Sequence, residues 1–360
     1  MKKTLIAFAA LSALAGIAQA QSSVTLYGVA DAYLASVKTE NKVGAVTTSL
    51  TQTKIDSGGH NGSRWGLRGS EDLGGGLKAI FQLESGFNID TGASAQNGVL
   101  FSRQAFVGLS GGFGTVNLGR QYTAYDALRG ATNNTGDTAF ASTGTVWANG
   151  IADYTSRVDN SIAYISPDFA GFSGAVVYSL GENKVGAATG QPALDATKNA
   201  SFHIKYANGP LLVGYAFQQE DTRTAAIVAA PLALPPVVGV AASNSNKRKY
   251  NYLAASYDLG VVMLTGGYNT AKFNAIKDKE FQVGVSVPFG AASLAAGYAR
   301  SKSEAVGANT TGTGFSLLGT YDLSKRTRLY AAAGNTKVET SNAVNSTKVT
   351  TFATGVRHAF

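Results

Sequence analysis

Val24-Thr25-Leu26-Tyr27-Gly28-Val29-Ala30-Asp31-Ala32-Tyr33-Leu34 is the stretch on which the fold turns. Val24, Leu26, Ala30, Ala32 and Leu34 share one parity, and Thr25, Tyr27, Asp31 and Tyr33 share the other. Successive side chains of an extended chain point to opposite sides, so this is a strand with one apolar and one polar surface. Residues 77–87 repeat the pattern. Leu77, Ala79, Phe81, Leu83 and Phe87 face one way, and Lys78, Gln82 and Glu84 face the other. Two architectures accept such strands. A secreted sandwich or lectin turns the apolar face into a core, whereas a membrane-spanning barrel turns it to lipid and keeps its charges in the lumen.

Composition is compatible with both but narrows the setting. Lys2 and Lys3 precede an uncharged run over 4–17 and then Ala18-Gln19-Ala20. A basic head, a short apolar middle and small residues at the cut are the layout of a secretory signal peptide. The run is shorter than the roughly 20 apolar residues that cross a bilayer as a helix. A signal over 1–20 therefore precedes a single domain over 21–360, and its two lysines lower the net charge of the chain from +8 to +6. There is no cysteine, so an exported chain of this kind has no disulfide framework to stabilise it. Charged residues make up 14%, against about 25% in an ordinary soluble domain. Mean hydropathy is nonetheless only +0.01, and past the signal no segment reads as a membrane helix. Apolar residues spread over alternate strand positions produce this combination.

The connections separate the two architectures. Short turn signals recur at 71–76, 111–114, 166–171, 207–210, 258–260, 288–290 and 322–325, built from Gly, Asn, Asp and Pro, the residues that tight reversals favour. Between them fall longer polar connections at 37–62, 89–99, 121–156, 182–200, 220–249, 271–278, 302–312 and 337–347. Short and long connections alternate strictly, and a sandwich has no reason to segregate them. The expected fold is all-β: a transmembrane up-and-down antiparallel β-barrel of 16 strands, with both termini on the turn side. Closure leaves no sheet edge and satisfies every backbone donor in the lipid zone.

Several segments carry a family resemblance. They are Ser23-Val24-Thr25-Leu26-Tyr27-Gly28-Val29-Ala30-Asp31, the run over 62–79 beginning Gly62-Ser63-Arg64-Trp65-Gly66-Leu67-Arg68-Gly69, Phe101-Ser102-Arg103-Gln104-Ala105-Phe106-Val107-Gly108-Leu109, Gly119-Arg120-Gln121, Arg157-Val158-Asp159-Asn160-Ser161-Ile162 and the terminal Arg357-His358-Ala359-Phe360. Together they resemble the general porins of Gram-negative outer membranes, closest to the neisserial and β-proteobacterial branch. The resemblance spans the mature chain. It implies a homotrimer of sixteen-stranded barrels in outer-membrane lipid, each a passive channel for small ions and solutes. It also implies a third loop, 121–156, folded into the lumen as a constriction, and a C-terminal Phe360 read by the outer-membrane assembly machinery. His358 interrupts the apolar alternation just before that terminus.

A channel needs fixed charge at its narrow point. Arg64 lies eight residues before Asp72, Arg103 eight before Gly111 and Arg157 ten before Pro167. At about 3.3 Å per residue and about 45° of tilt, all three stand roughly 20 Å above the turns. Arg64 and Arg68 oppose Trp65 and Leu67, which directs them to the lumen. Arg103 is less clear, because Ala105 and Val107 share its parity. The resemblance implies a row of three arginines at the constriction, a role that falls on Arg64, Arg103 and Arg157; that row and the net positive charge lead to the expectation of weak anion selectivity. Arg68, Lys78 and Arg120 extend the set of constriction charges, and Asp126, Asp137 and Asp153 of the third loop oppose it. The plainer alternative is that some of these arginines pair with acids or solvate the wall.

Other classes have little support. The glycines before Lys78 lack phosphate-loop spacing. His60, His203 and His358 are the only histidines and show no ligand spacing, so neither metal, cofactor nor catalytic centre is expected. His203 has no partner identifiable from sequence, which argues against an outer-membrane hydrolase. Nothing points to nucleic acid. An adhesin or receptor barrel remains as the rival, and the apolar stretch 227–242, broken by Pro231, Pro235 and Pro236, is excluded as a spanning helix by those prolines.

Overall fold

The computed structural model describes residues 23–96, 98–133, 139–144, 146–147, 151, 153–184, 196–222, 246–305, 308–340 and 345–360. The expected signal over 1–20, Asp137 and the 227–242 stretch lie outside the described residues.

Seventeen strands and one helix make up the described chain. The strands are β1 (Ser23–Val43), β2 (Val46–Ser57), β3 (Arg64–Gly74), β4 (Leu77–Gly86), β5 (Gln104–Gly111), β6 (Gly114–Tyr122), β7 (Arg157–Ile165), β8 (Phe172–Ser179) and β9 (Lys198–Asn208). They continue as β10 (Leu211–Thr222), β11 (Asn246–Asp258), β12 (Met263–Phe273), β13 (Ile276–Phe289), β14 (Ala292–Ala305), β15 (Ala308–Asp322), β16 (Thr327–Thr340) and β17 (Ser346–Ala359), and α1 is Ala124–Ala131.

From β3 onward each strand pairs antiparallel with the next, and β17 returns to β1 from Val29↔Ala359 to Lys42↔Ser346. The other edge of β1 is shared. Its first residues pair with β3, as in Val24↔Gly69, and its upper half pairs with β2, as in Val37↔Gln52. β2 and β3 are therefore two halves of one stave, and the ring closes with sixteen. Gly28 and Phe360 exchange both main-chain hydrogen bonds at the seam. A side-chain carbon on Gly28 would meet the Phe360 ring at 2.2 Å, so the closing aromatic requires glycine beneath it.

The packing is inverted relative to a soluble domain. Leu26, Leu109, Val176, Ile204, Leu253, Val283, Phe315 and Phe352 are exposed on the outer surface, while Asp31, Asn117, Ser201, Gln218, Asn269, Glu280 and Ser301 are buried on the inner one. The apolar faces read from 24–34 and 77–87 point outward, which rules out the sandwich. All seven expected turns join consecutive strands.

Four of the expected long connections are largely taken up by strand. The 37–62 segment is mostly strand, with β1 and β2 meeting at Gly44, whose φ of 61° suits glycine. The 271–278 connection is a tight hairpin closing at Phe273↔Ile276. The 302–312 and 337–347 connections are also largely consumed by β14–β17. The reason is physical: above the bilayer both faces of a strand meet water, so apolar alternation vanishes and a strand acquires the composition of a loop.

Candidate functional site

The 121–156 segment, read from sequence as a long polar connection, opens with α1. Thr123 caps the helix, its Oγ1 accepting from the Asp126 N–H at 3.2 Å. Asp126 sits in the first turn and Arg129 in the last, each where the helix dipole favours its charge.

The segment is tied to inward-facing side chains of several staves. The Tyr125 hydroxyl donates to Asn269 Oδ1 on β12 at 2.5 Å. Thr132 Oγ1 and the Tyr252 hydroxyl on β11 lie 2.8 Å apart. The Ile151 N–H donates to Asp278 Oδ2 on β13 at 3.0 Å, and Ser301 Oγ on β14 donates to the Val146 carbonyl at 2.5 Å. On β9, Ser201 Oγ accepts from the Ala124 N–H and His203 Nδ1 donates to the Ala124 carbonyl at 2.7 Å. His203 thus has a partner that the sequence did not disclose. The Ala139 N–H reaches Gly59 O beside β3.

Gly59 belongs to a small nest. The buried Asp31 carboxylate accepts from the N–H groups of Gly59, His60 and Asn61 and from the Tyr330 hydroxyl at 2.6 Å. Four donors on one carboxylate fix the bend between β2 and β3, and with it the position of Arg64.

A cavity of about 520 Å³ lies between the segment and the wall, lined by Arg64, Arg103 and Arg157 on one side and Asp126, Arg129 and Asp153 on the other. Arg103 Nε donates to Glu84 Oε1 at 2.6 Å, and both side chains are nearly buried. Tyr27 donates to the other Glu84 oxygen at 2.9 Å. Arg103 Nη2 and Arg157 Nη2 each donate to the Tyr122 hydroxyl at 2.6 Å. The Arg157 guanidinium also sits 4.3 Å from the Tyr122 ring centroid, a cation–π distance. Opposite, Arg129 is sandwiched between Trp147 and Tyr154 at 4.7 Å and 4.6 Å and pairs with Asp153 at 2.8 Å. Tyr154 donates to Asp126 Oδ1 at 2.7 Å. Burial pushes the Tyr154 phenol well above its ordinary pKa, so it remains a neutral donor.

Comparison with known proteins places this geometry. Residues 7–341 match the family described as Gram-negative porin. The chain belongs to the Gram-negative porins. An outer membrane porin of Bordetella pertussis is 34% identical across the whole of both chains. Outer membrane porin protein 32 of Delftia acidovorans is 35% identical over 92% of this chain and 88% of its own. The anion-selective porin from Comamonas acidovorans superposes with a TM-score of 0.73 at 28% identity, covering 94% of this chain and all of that one. This porin therefore resides in the outer membrane and forms a passive, water-filled channel for small hydrophilic solutes.

Five of the expected charges, Arg64, Arg103, Arg157, Asp126 and Asp153, meet at the cavity of the porin. Three do not. Arg68 lies four residues along β3 from Arg64, over the Tyr27 ring at 5.2 Å. Lys78 stands at the turn end, opposite Asp72 and Ser110, about 20 Å along β4 from Glu84. Arg120 shares the outward parity of Leu118 and pairs with Asp159 at 2.6 Å. Lys78 and Arg120 thus leave the constriction set. Arg129 and Tyr122 join the site without having been anticipated. The Thr123-x-x-Asp126 cap was the available signal for the helix that carries Arg129.

Proposed function

We propose that the porin is weakly anion-selective, with the 121–156 segment folded across the lumen as its constriction and Arg64, Arg103 and Arg157 as the selecting charges. The observation that carries this reading is the convergence of these three arginines on one cavity opposite Asp126 and Asp153. Fixed charge in a narrow, low-dielectric tube favours the counter-ion, and salt screens it only in part. Asp126 and Asp153 lie on the segment side of the cavity, where Arg129 pairs with Asp153, so the transverse field runs from the wall arginines toward that side. The charge of Arg68, one step nearer the turns, draws anions onward from the narrow section.

The reading extends to assembly. A cleaved signal over 1–20 exports the chain, Phe360 serves as the assembly signal, and three barrels associate as a homotrimer. The Gly28–Phe360 seam supports the role of the terminus, because the last residue closes the ring.

Reversal potentials across planar bilayers in a KCl gradient test the selectivity. Wild type is expected to favour Cl⁻. Joint replacement Arg64→Gln, Arg103→Gln and Arg157→Gln is expected to abolish or invert that preference. A cation preference in wild type that the triple replacement leaves untouched refutes the assignment.

A further inference from the structure

One sector of the outer wall carries a dense group of cations just beyond the apolar band. At the loop-side ends of β11–β14 these include Lys249, Lys272, Lys277, Lys279, Arg300 and Lys302, all exposed. They share parity with the outward Leu253, Tyr268, Phe281, Val283 and Leu294, whereas Tyr250, Ala271, Asp278, Glu280 and Ser301 on the alternate parity are buried.

Register makes the crowding severe. Lys249 lies directly opposite Lys272, Lys272 directly opposite Lys277, and Lys279 directly opposite Lys302. Like charges facing each other across strands destabilise the pairing. Glu304 lies 3.0 Å from Lys302 and 3.9 Å from Lys279. Among the described residues, Lys249, Lys272, Lys277 and Arg300 have no carboxylate within ion-pair distance. This does not follow from the basic net charge alone. Among the described residues, the outward loop-side positions of β4–β8 hold a single cation, Arg120, which Asp159 already matches.

Position along the strands supplies a second observation. Phe281, Tyr298 and Phe315 form a continuous outward row, with ring centroids 5.8 Å and 4.8 Å apart. Such rows mark the membrane interface of outer-membrane barrels. Lys279 follows Phe281 by two residues toward the loops, about 7 Å. Its amine is thereby set at the level of lipid headgroups. Lysine stems lie along apolar surface while their ammonium groups reach for polar partners.

We propose that this sector binds the phosphate groups of an anionic outer-leaflet lipid whose acyl chains rest on the apolar band below. From β11 to β14 the cations span three strand spacings, about 15 Å, a width suited to a headgroup with two phosphates. Commitment to a lipid rather than a free anion follows from the exposure of these cations on the outer wall. The adjacent aromatic row offers the chains a surface that free phosphate has no use for. The inference rests on the outer-membrane setting and is independent of the selectivity of the pore.

The test is native mass spectrometry of the full-length porin in mild detergent, titrated separately with bisphosphorylated lipid A, zwitterionic phosphatidylcholine and inorganic pyrophosphate. Wild type is expected to retain lipid A in preference to phosphatidylcholine, and equal concentrations of pyrophosphate should not displace it. The joint variant Lys272→Gln, Lys277→Gln and Lys279→Gln is expected to weaken lipid A retention more than about tenfold, since each basic side chain near a lipid surface contributes appreciably. Its phosphatidylcholine binding and single-channel conductance should stay at wild-type values. Lys277→Gln alone gives a smaller loss of the same kind should the joint variant fold poorly. Undiminished lipid A retention in either folded variant overturns the proposal. Displacement by pyrophosphate, or an equal loss of phosphatidylcholine binding, overturns it as well.

Discussion

Arg103 and Arg64 both reach the cavity, but they differ in what stands behind them. Arg103 is clamped to Glu84 at 2.6 Å and to Tyr122, whereas Arg64 has no carboxylate partner among the described residues. Replacing Arg64 removes one positive charge. Replacing Arg103 removes one positive charge and also uncovers the negative charge of Glu84, in a part of the lumen where water screens poorly. Arg103→Gln is therefore expected to lower the Cl⁻/K⁺ permeability ratio more than Arg64→Gln does. Glu84→Gln should raise it, and the double variant should fall between the two. Reversal potentials of the four proteins check this ordering, and equal effects of the two arginine replacements contradict it. Sequence parity alone assigned Arg103 ambiguously. It precedes β5 at a bend, with its own N–H on the Glu84 carbonyl, so the alternation of β5 does not govern its direction. Arg157 is similar: β6 and β7 slip register between Gly119 and Gln121, Gly119 has a φ of 137° and Asn160 one of 50°. A bulge of this kind resets which face a side chain occupies, and no periodicity reveals it.

At the scale of the element, α1 is the rigid part of the 121–156 segment. Its Tyr125 is fully buried among Tyr154, Tyr250 and Tyr252, and its hydroxyl ends on Asn269. Tyr125→Phe keeps the ring packing and removes one hydrogen bond, a loss of about 1 kcal/mol of anchoring. Asn269 retains its bond to Glu280 at 2.6 Å, so the wall itself is not disturbed. The expected outcome is greater open-channel current noise with an unchanged reversal potential, and noise equal to wild type argues against the helix as the anchor. The helix was legible after all, in a capping threonine followed by Asp126 and Arg129. It was passed over because the segment is long, polar and lacks a repeating apolar face. The tall hairpin of β1 and β2 was misread for a related reason. Its Thr- and Ser-rich strands, exposed on both faces, carry no binary pattern to mark them as strands.

At the scale of the molecule, closure turns sixteen amphipathic staves into a wet tube within an apolar surface. The proposed selecting charges act through the lumen, and ionic strength sets their reach. The Debye length shortens from about 10 Å at 0.1 M salt to about 3 Å at 1 M. The Cl⁻/K⁺ permeability ratio is accordingly expected to fall as the mean KCl concentration rises across that range. Reversal potentials measured at a fixed gradient ratio check it, and a ratio independent of salt would place the selectivity in something other than fixed charge. The outer surface is asymmetric as well: cations crowd the loop-side ends of β11–β14, while among the described residues the outward loop-side positions of β4–β8 hold only Arg120, matched by Asp159.

The amino-acid sequence by itself determined the strand character, the alternation of tight turns with long connections, the number of staves and the outward direction of the apolar faces. All of these follow from local backbone geometry repeated with period two. Only the tertiary structure decided that Arg103 and Arg157 meet at Tyr122, that Arg120 turns away to Asp159, that Lys78 stands at the turn end, and that Arg129 faces the wall arginines across a cavity. Those outcomes depend on bulges, bends and distances across the ring, which no stave carries alone and which are fixed only when β17 pairs with β1.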